Sequence, residues 1–173
     1  MSRHFIDPTK APARFEPVLD ASVFRRISGH WVTGVAVVTT IDKAGNPLGL
    51  TMNGLTSLSL SPPRFLVCLD NGSETLAALR ISEIFCINFL HRDQQALSSL
   101  FATKSANKFS GVEWTKGVTG APILGGAIGH MELRLSQLLC GDDHQIAIGE
   151  AVAADARAEE PLVYFNGKYR SVA

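Results

Sequence analysis

Short apolar runs broken by turn residues recur along most of the chain, and few of them keep helical spacing. Residues 35–41 form a β-branched run, the turn-rich Asp42-Lys43-Ala44-Gly45-Asn46-Pro47 comes next, and residues 48–52 are apolar again. That pattern predicts a hairpin. Residues 55–60 and 64–70 predict two more strands, because Ser61-Pro62-Pro63 between them cannot sit inside a central strand. Further strands are expected over residues 83–90, 128–139, 145–153, 162–165 and 168–172.

Helical spacing is confined to short pieces. Val23, Phe24, Ile27 and Trp31 predict a helix from an Asp20 N-cap to about residue 31, with Gly34 ending it. A second is expected from Ser73 or Thr75 to about residue 81. A third, capped by Asp93, would carry Leu97, Leu100 and Phe101 and run into an irregular stretch rich in Gly and Lys. Strands joined by turns or short helices, without β-α-β alternation, predict a mainly β fold, an antiparallel barrel or sandwich. A barrel of this size has a filled interior, so a cofactor would sit at its rim or between subunits. Residues 1–19, with Pro8, Pro12 and Pro17, read as an extended arm, and residues 20–173 as a single domain.

Composition narrows the partners. The chain has 173 residues, 46% apolar and 18% charged, and so reads as globular. Sixteen basic residues balance sixteen acidic ones, with no basic block, which argues against nucleic acid or an anionic membrane surface as partner. Cys68, Cys86 and Cys140 are odd in number and far apart, with no C-x-x-C pair for a redox dithiol or a zinc site. No metal is expected. Reduced thiols and the absence of an apolar leader in residues 1–14 point to the cytoplasm.

No two glycines are separated by a single residue, so the G-x-G-x-x-G dinucleotide loop is missing, as are a P-loop, H-E-x-x-H and G-x-S-x-G. One segment stands out: Gly49-Leu50-Thr51-Met52-Asn53-Gly54-Leu55-Thr56-Ser57-Leu58-Ser59-Leu60-Ser61-Pro62-Pro63. If it is extended, Ser57, Ser59 and Ser61 share one face while Leu58 and Leu60 face the core. Small hydroxyls on a strand can hydrogen-bond a ribityl chain or phosphate, and Asn53 offers donor and acceptor to a heterocycle edge. The same pattern also suits an edge strand with a polar outer face.

Residues 51–63, ahead of the apolar strand 64–70, resemble the signature of the flavin-reductase-like family, the short-chain reductases that supply two-component flavin monooxygenases. Other blocks match in order. Phe24-Arg25-Arg26 with residues 33–40 resembles the opening helix and strand. Asn88-Phe89-Leu90, Gln94 or Gln95, Phe101-Ala102 and Lys108-Phe109 resemble the middle block. Gly120-Ala121-Pro122-Ile123-Leu124, Gly141-Asp142-Asp143-His144, Gly149-Glu150 and residues 161–165 resemble the last third.

The resemblance implies an FMN-binding split β-barrel, normally a homodimer, that reduces flavin (FMN or FAD) with NADH or NADPH and passes it to a separate oxygenase. It places Thr51, Met52, Asn53 and Gly54 along the flavin ring and Ser57 and Ser59 on the ribityl-phosphate side. Ser73, Phe101, Ala102 and Lys108 would complete the pocket. His144 would lie on the nicotinamide side and is the one candidate for a catalytic role. The family's Gly-Asp-His element has one Asp fewer, and the extra residue could turn the imidazole to the opposite face of its strand. A flavoprotein that keeps its flavin for another substrate and a non-catalytic flavin-binding module are the competing readings. The expected pocket, made of hydroxyls rather than charged anchors, suits an exchangeable flavin.

Overall fold

A computed structural model of the protein describes residues 19–172. The arm expected over residues 1–19 lies, apart from its last residue, outside the described residues. Among the described residues the chain forms α1 (Ala21–Ser28), β1 (Thr33–Gly34), β2 (Ala36–Ile41), β3 (Pro47–Met52), β4 (Leu55–Leu60) and β5 (Pro63–Asp70). It continues through α2 (Glu74–Ser82), β6 (Ile84–Phe89), α3 (Gln95–Phe101), β7 (Trp114–Lys116) and β8 (Pro122–Leu124). The last elements are β9 (Gly129–Gly141), β10 (His144–Ala156), β11 (Val163–Phe165) and β12 (Lys168–Arg170).

Seven strands make one antiparallel sheet in the order β3-β2-β6-β9-β10-β5-β4. Its two outer strands, β3 and β4, are consecutive in the chain, with only Asn53 and Gly54 between them. Three peptide steps reach at most about 11 Å, so the opposite edges of the sheet must lie beside each other. The sheet is therefore rolled into a barrel whose seam is Asn53-Gly54. The expected mainly β fold with short connecting helices is the one observed.

The β-branched run at residues 35–41 lacks apolar/polar alternation because both faces of β2 are covered. Ala36 and Val38 point into the barrel with Met52, Val67, Leu69, Phe85, Ile87 and Leu133. Val35 and Val37 pack outward against Leu90, Phe101, Leu124 and Leu162. Inside, Gly149 sits where an added Cβ would come within 2.6 Å of the Phe85 ring and 2.8 Å of Leu133 Cβ, so no larger residue fits without displacement. A sheet bulge falls beside it, between Ile148 and Gly149.

Several expectations are corrected. The first helix stops at Ser28, where the Gly29 N–H bonds the Arg25 carbonyl, so neither residue 31 nor Gly34 is its end. Asp93 does not cap α3. Gln94 holds that position without a side-chain cap and instead accepts from the His91 N–H at 3.0 Å and donates to the Gly125 carbonyl at 2.8 Å. On β4 a bulge falls at Leu58: Ser57 opposes Phe65 while Ser59 opposes Arg64. One inserted residue sends the remainder of the strand to the other face. Ser57 and Ser59 therefore do not share a face, and Leu58 and Leu60 are 48% and 94% exposed rather than in the core.

The stretch expected to be irregular contains the β7–β8 hairpin, which is fastened by buried polar side chains of distant strands. Asn88 on β6 accepts the Leu124 N–H at 2.8 Å and donates to Thr39 Oγ1 at 3.1 Å and the Val37 carbonyl at 3.2 Å. Glu132 on β9, only 2% exposed, accepts the Val118 N–H at 3.1 Å, the Thr119 N–H at 2.8 Å and the Thr119 hydroxyl at 2.6 Å. Burial pushes the Glu132 carboxyl up, and those three donors together outweigh it and hold it below its ordinary value.

Candidate functional site

A cleft of about 580 Å³ opens between β3, the loop joining β5 to α2, and the segment after α3. Its wall on the β3 side depends on Gly49, where a Cβ would stand 3.0 Å from both Phe101 Cε1 and the Val38 carbonyl. The missing side chain lets the Phe101 ring lie against the strand. Phe101 in turn meets Phe109 edge-on at 5.0 Å, and Phe109 meets Trp114 of β7 at 5.9 Å. The pinned hairpin thereby supports the cleft wall through a ladder of three rings.

Lys108 is the cation of that wall. Its Nζ donates to the carbonyls of Gly49 and Phe101, each at 3.1 Å, which leaves one of three N–H groups for a bound anion. Burial holds the ammonium below its usual pKa, and Glu74 acts in the opposite sense. Across the cleft, Ser73 caps α2 by accepting the Leu76 N–H at 3.3 Å, and the helix start adds partial positive charge at the rim. Such an end suits a phosphate. Asp70, Glu74 and Lys104 also line it, the remainder is small, apolar or hydroxyl-bearing, and the volume falls in the range of cofactor sites. The residues present thus fit a phosphorylated flavin.

Of the candidates named from sequence, Thr51, Ser73, Phe101, Ala102 and Lys108 line this cleft. Thr51 does so with its hydroxyl committed as a donor to the Ser98 carbonyl at 2.6 Å, so it offers a ligand only a lone pair. Ser98 is held by the Tyr169 hydroxyl at 2.9 Å. Met52 is not in the lining; it packs inside the barrel. Asn53 and Gly54 lie at the seam, where Asn53 Nδ2 donates to Thr33 Oγ1 at 3.1 Å and the Gly54 carbonyl accepts the Cys68 N–H at 2.8 Å. Ser57 and Ser59 lie on β4, away from the lining, and the Ser59 hydroxyl donates to the Pro62 carbonyl at 2.6 Å. Opposite Ser59, the Nε of Arg64 is buried with no hydrogen-bond partner among the described residues.

His144 begins β10, directly opposite Asp70, a residue of the cleft rim. Its ring is 44% exposed, and its Nδ1 lies 2.8 Å from Asp143 Oδ1. That contact keeps the Asp143 carboxyl below its ordinary pKa. The extra Asp is taken up in the turn, since Gly141 and His144 still pair and Asp142 adopts a left-handed φ of 64°. Sequence reasoning missed Gly49, Asp70 and Glu74. Only the position of Glu74 directly after a helix-capping Ser could have signalled one of them.

The other candidates are accounted for locally. His30 Nδ1 meets the Arg26 carbonyl at 2.8 Å. Cys86 is sealed in the interior, where burial and then the Glu132 charge push its thiol up to about 12, leaving no thiolate at neutral pH. Among the described residues no helix is long and apolar enough to cross a membrane.

Comparison with known proteins agrees with this geometry. The family model described as flavin reductase like domain matches residues 28–173. The reductase subunit of a flavin-dependent monooxygenase from Rhodococcus jostii is 36% identical over 89% of this chain and 79% of its own. The reductase component of a 4-nitrophenol 4-monooxygenase/4-nitrocatechol 2-monooxygenase from Rhodococcus opacus is 38% identical over 87% and 80%. Among solved structures, the NADH:FAD oxidoreductase of Streptomyces globisporus superposes with a TM-score of 0.85 at 33% identity, covering 94% of this chain and 99% of that one.

Proposed function

Given that the chain belongs to the flavin reductase like domain family, we propose that it is an NAD(P)H:flavin oxidoreductase whose cleft takes FMN or FAD and whose reduced flavin serves a separate monooxygenase. The observation that carries this is the cleft itself. A half-buried Lys108 and the start of α2 mark an anion end, and β3 offers the mostly apolar lining of Pro47 to Thr51 beside it. NADH is the preferred donor, a reading supported by the relative that takes NADH.

The bound flavin supplies the hydride acceptor. The residues of this chain bind and orient. Lys108 and the α2 start hold the phosphate, Phe101 and Gly49 shape the wall, and Thr51 accepts a hydrogen bond from the ligand. Ala102, in the lining, and Asn53 and Gly54, at the seam next to β3, remain proposed flavin contacts, and His144 the nicotinamide-side residue; Met52, in the barrel interior, and Ser57 and Ser59, on β4, fall outside this cleft. No protein nucleophile is required, because proximity and orientation suffice for hydride transfer between stacked rings. Of the two lysines in the lining, Lys108 is held by two carbonyls while Lys104 is exposed, so the phosphate meets one fixed cation, binding is moderate and the flavin exchanges.

We further infer a homodimer of single-domain chains acting in the cytoplasm. The support is exposed apolar surface: no residue of α1 is buried, Phe24, Ile27 and Trp31 stand in solvent, and so do Leu58 and Leu60 of β4. Sedimentation at low micromolar concentration tests it, and a monomer there would refute it.

The test of the activity is anaerobic oxidation of NADH and NADPH by the flavin-stripped protein, with FMN, FAD and riboflavin titrated in. Saturable oxidation that scales with free flavin is expected. Flavin binding without oxidation by either nicotinamide would leave a binding module.

A further inference from the structure

The turn between β9 and β10 is held from outside by one residue, which the cleft does not use. The Asn71 backbone N–H donates to the Asp143 carbonyl at 3.0 Å, its Nδ2 donates to the Asp142 carbonyl at 2.7 Å, and its Oδ1 accepts from Gln145 Nε2 at 3.0 Å. All three bonds go to the residues that flank His144 in the chain. We propose that Asn71 is a positioning residue for His144, clamping the turn that carries the imidazole to the loop that forms the cleft rim. The proposal rests on the nicotinamide-side reading of His144.

Three features make the clamp specific rather than a general tie. First, Asp142 and Asp143 are a two-residue link between paired Gly141 and His144, and Asp142 sits at φ 64°, a conformation that a residue with a Cβ adopts at some expense. Capture of both carbonyls by Asn71 offsets that expense and fixes the turn's plane. Second, the rim loop does not need the Asn71 side chain for its own shape. The Asp70 carboxylate accepts the Gly72 N–H at 2.7 Å, and the Asp70 carbonyl accepts the Ser73 N–H at 3.0 Å. Third, the ring is held separately: Nδ1–H donates to Asp143, and Nε2, with no hydrogen-bond partner among the described residues, can meet a ligand. Asn71 therefore sets where the imidazole stands relative to Asp70, its cross-strand partner, and Asp143 sets which way it faces.

The experiment is steady-state kinetics with NADH and FMN on Asn71→Ala, Gln145→Ala, His144→Ala and the double variant Asn71→Ala/His144→Ala, together with flavin titrations. Loss of the two side-chain bonds of Asn71 is expected to raise the KM for NADH about five- to tenfold, while the flavin Kd stays within about twofold. Gln145→Ala, which removes one bond and whose partner is exposed, is expected to give about a two- to threefold rise and to fold even where Asn71→Ala does not. The double variant should match His144→Ala alone, because a residue acting through the imidazole has nothing to position once it is gone. A flavin Kd that rises in step with the NADH KM, or effects that add in the double variant, would overturn the proposal in favour of a general loop tie. A silent Asn71→Ala beside an impaired His144→Ala removes the clamp alone. A silent His144→Ala removes the reading of the imidazole, and the clamp's purpose with it.

Discussion

The two sides of β2 are built on different terms. Its inner side faces an apolar cluster, from Ala36 and Val38 to Phe85 and Leu133, with one buried hydroxyl, Thr40, bonded to Ser82 and the Ile84 carbonyl at its end, so the barrel is held mainly by buried area. Its outer side carries α3, the β7–β8 hairpin and the cleft, and there a few individual hydrogen bonds from Thr39, Asn88 and Glu132 decide what sits where. Area is indifferent to small displacements, whereas a carboxylate with three donors is not. The barrel supplies stability, and the outer layer supplies the position of the cleft wall.

The sharpest way to separate the two is Phe85→Ala. Removing a fully buried ring from the barrel should destabilise the protein by about 3–5 kcal/mol in denaturant titration, while flavin affinity of the folded fraction is unchanged. Altered affinity with unchanged stability would erase the distinction. Gly149→Ala presses on the same ring from the other strand and should cost about 1–3 kcal/mol.

The outer layer should answer differently. Asn88→Ala leaves the Leu124 N–H buried without its acceptor and is expected to lose about 1–3 kcal/mol. Unlike the barrel variants, it should also weaken flavin binding, because the hairpin supports Phe109 through Trp114. Lys108→Met isolates the anion end. The FMN dissociation constant should rise about tenfold, with riboflavin unaffected and the melting curve little changed. An equal loss for riboflavin would place the phosphate elsewhere.

The smallest effect is in pH. The folded-state pKa of Glu132 lies below its ordinary value of 4.5. Its contribution is therefore complete above that value and is lost as pH falls through the lower, folded one. Denaturation midpoints measured between about pH 6 and pH 3 should fall more steeply for the wild type than for Glu132→Gln. Parallel curves would mean that the carboxylate does not carry the hairpin.

Much of this was legible in the chain. The barrel strands arise from runs of residues that need burial on one or both faces, and the hairpin at residues 42–46 from its turn chemistry. The facing of Ser57 and Ser59 was not legible, because alternation assumes an unbroken strand and the Leu58 bulge breaks it. β7 and β8 were hidden because each has three residues and their fastening lies in Asn88 and Glu132, far off in sequence. Lys108 and Ser73 could be named from their place in the family pattern. Gly49 acts by lacking a side chain and Asp70 by lying across from a distant strand, and no local motif announces either.

The seam at Asn53-Gly54 has a consequence for anyone who would re-route the chain. Because β3 and β4 are the two unpaired edges of a single sheet and only two residues join them, new termini placed there would remove the covalent tie across the seam and leave it to the apolar interior alone. The link between β2 and β3 is the opposite case. The Asp42 carboxylate closes it locally onto Ala44 and Asn46, and its strands are neighbours already. A permuted chain opened at Lys43 should keep its cylinder; one opened at Asn53 should hold it less firmly.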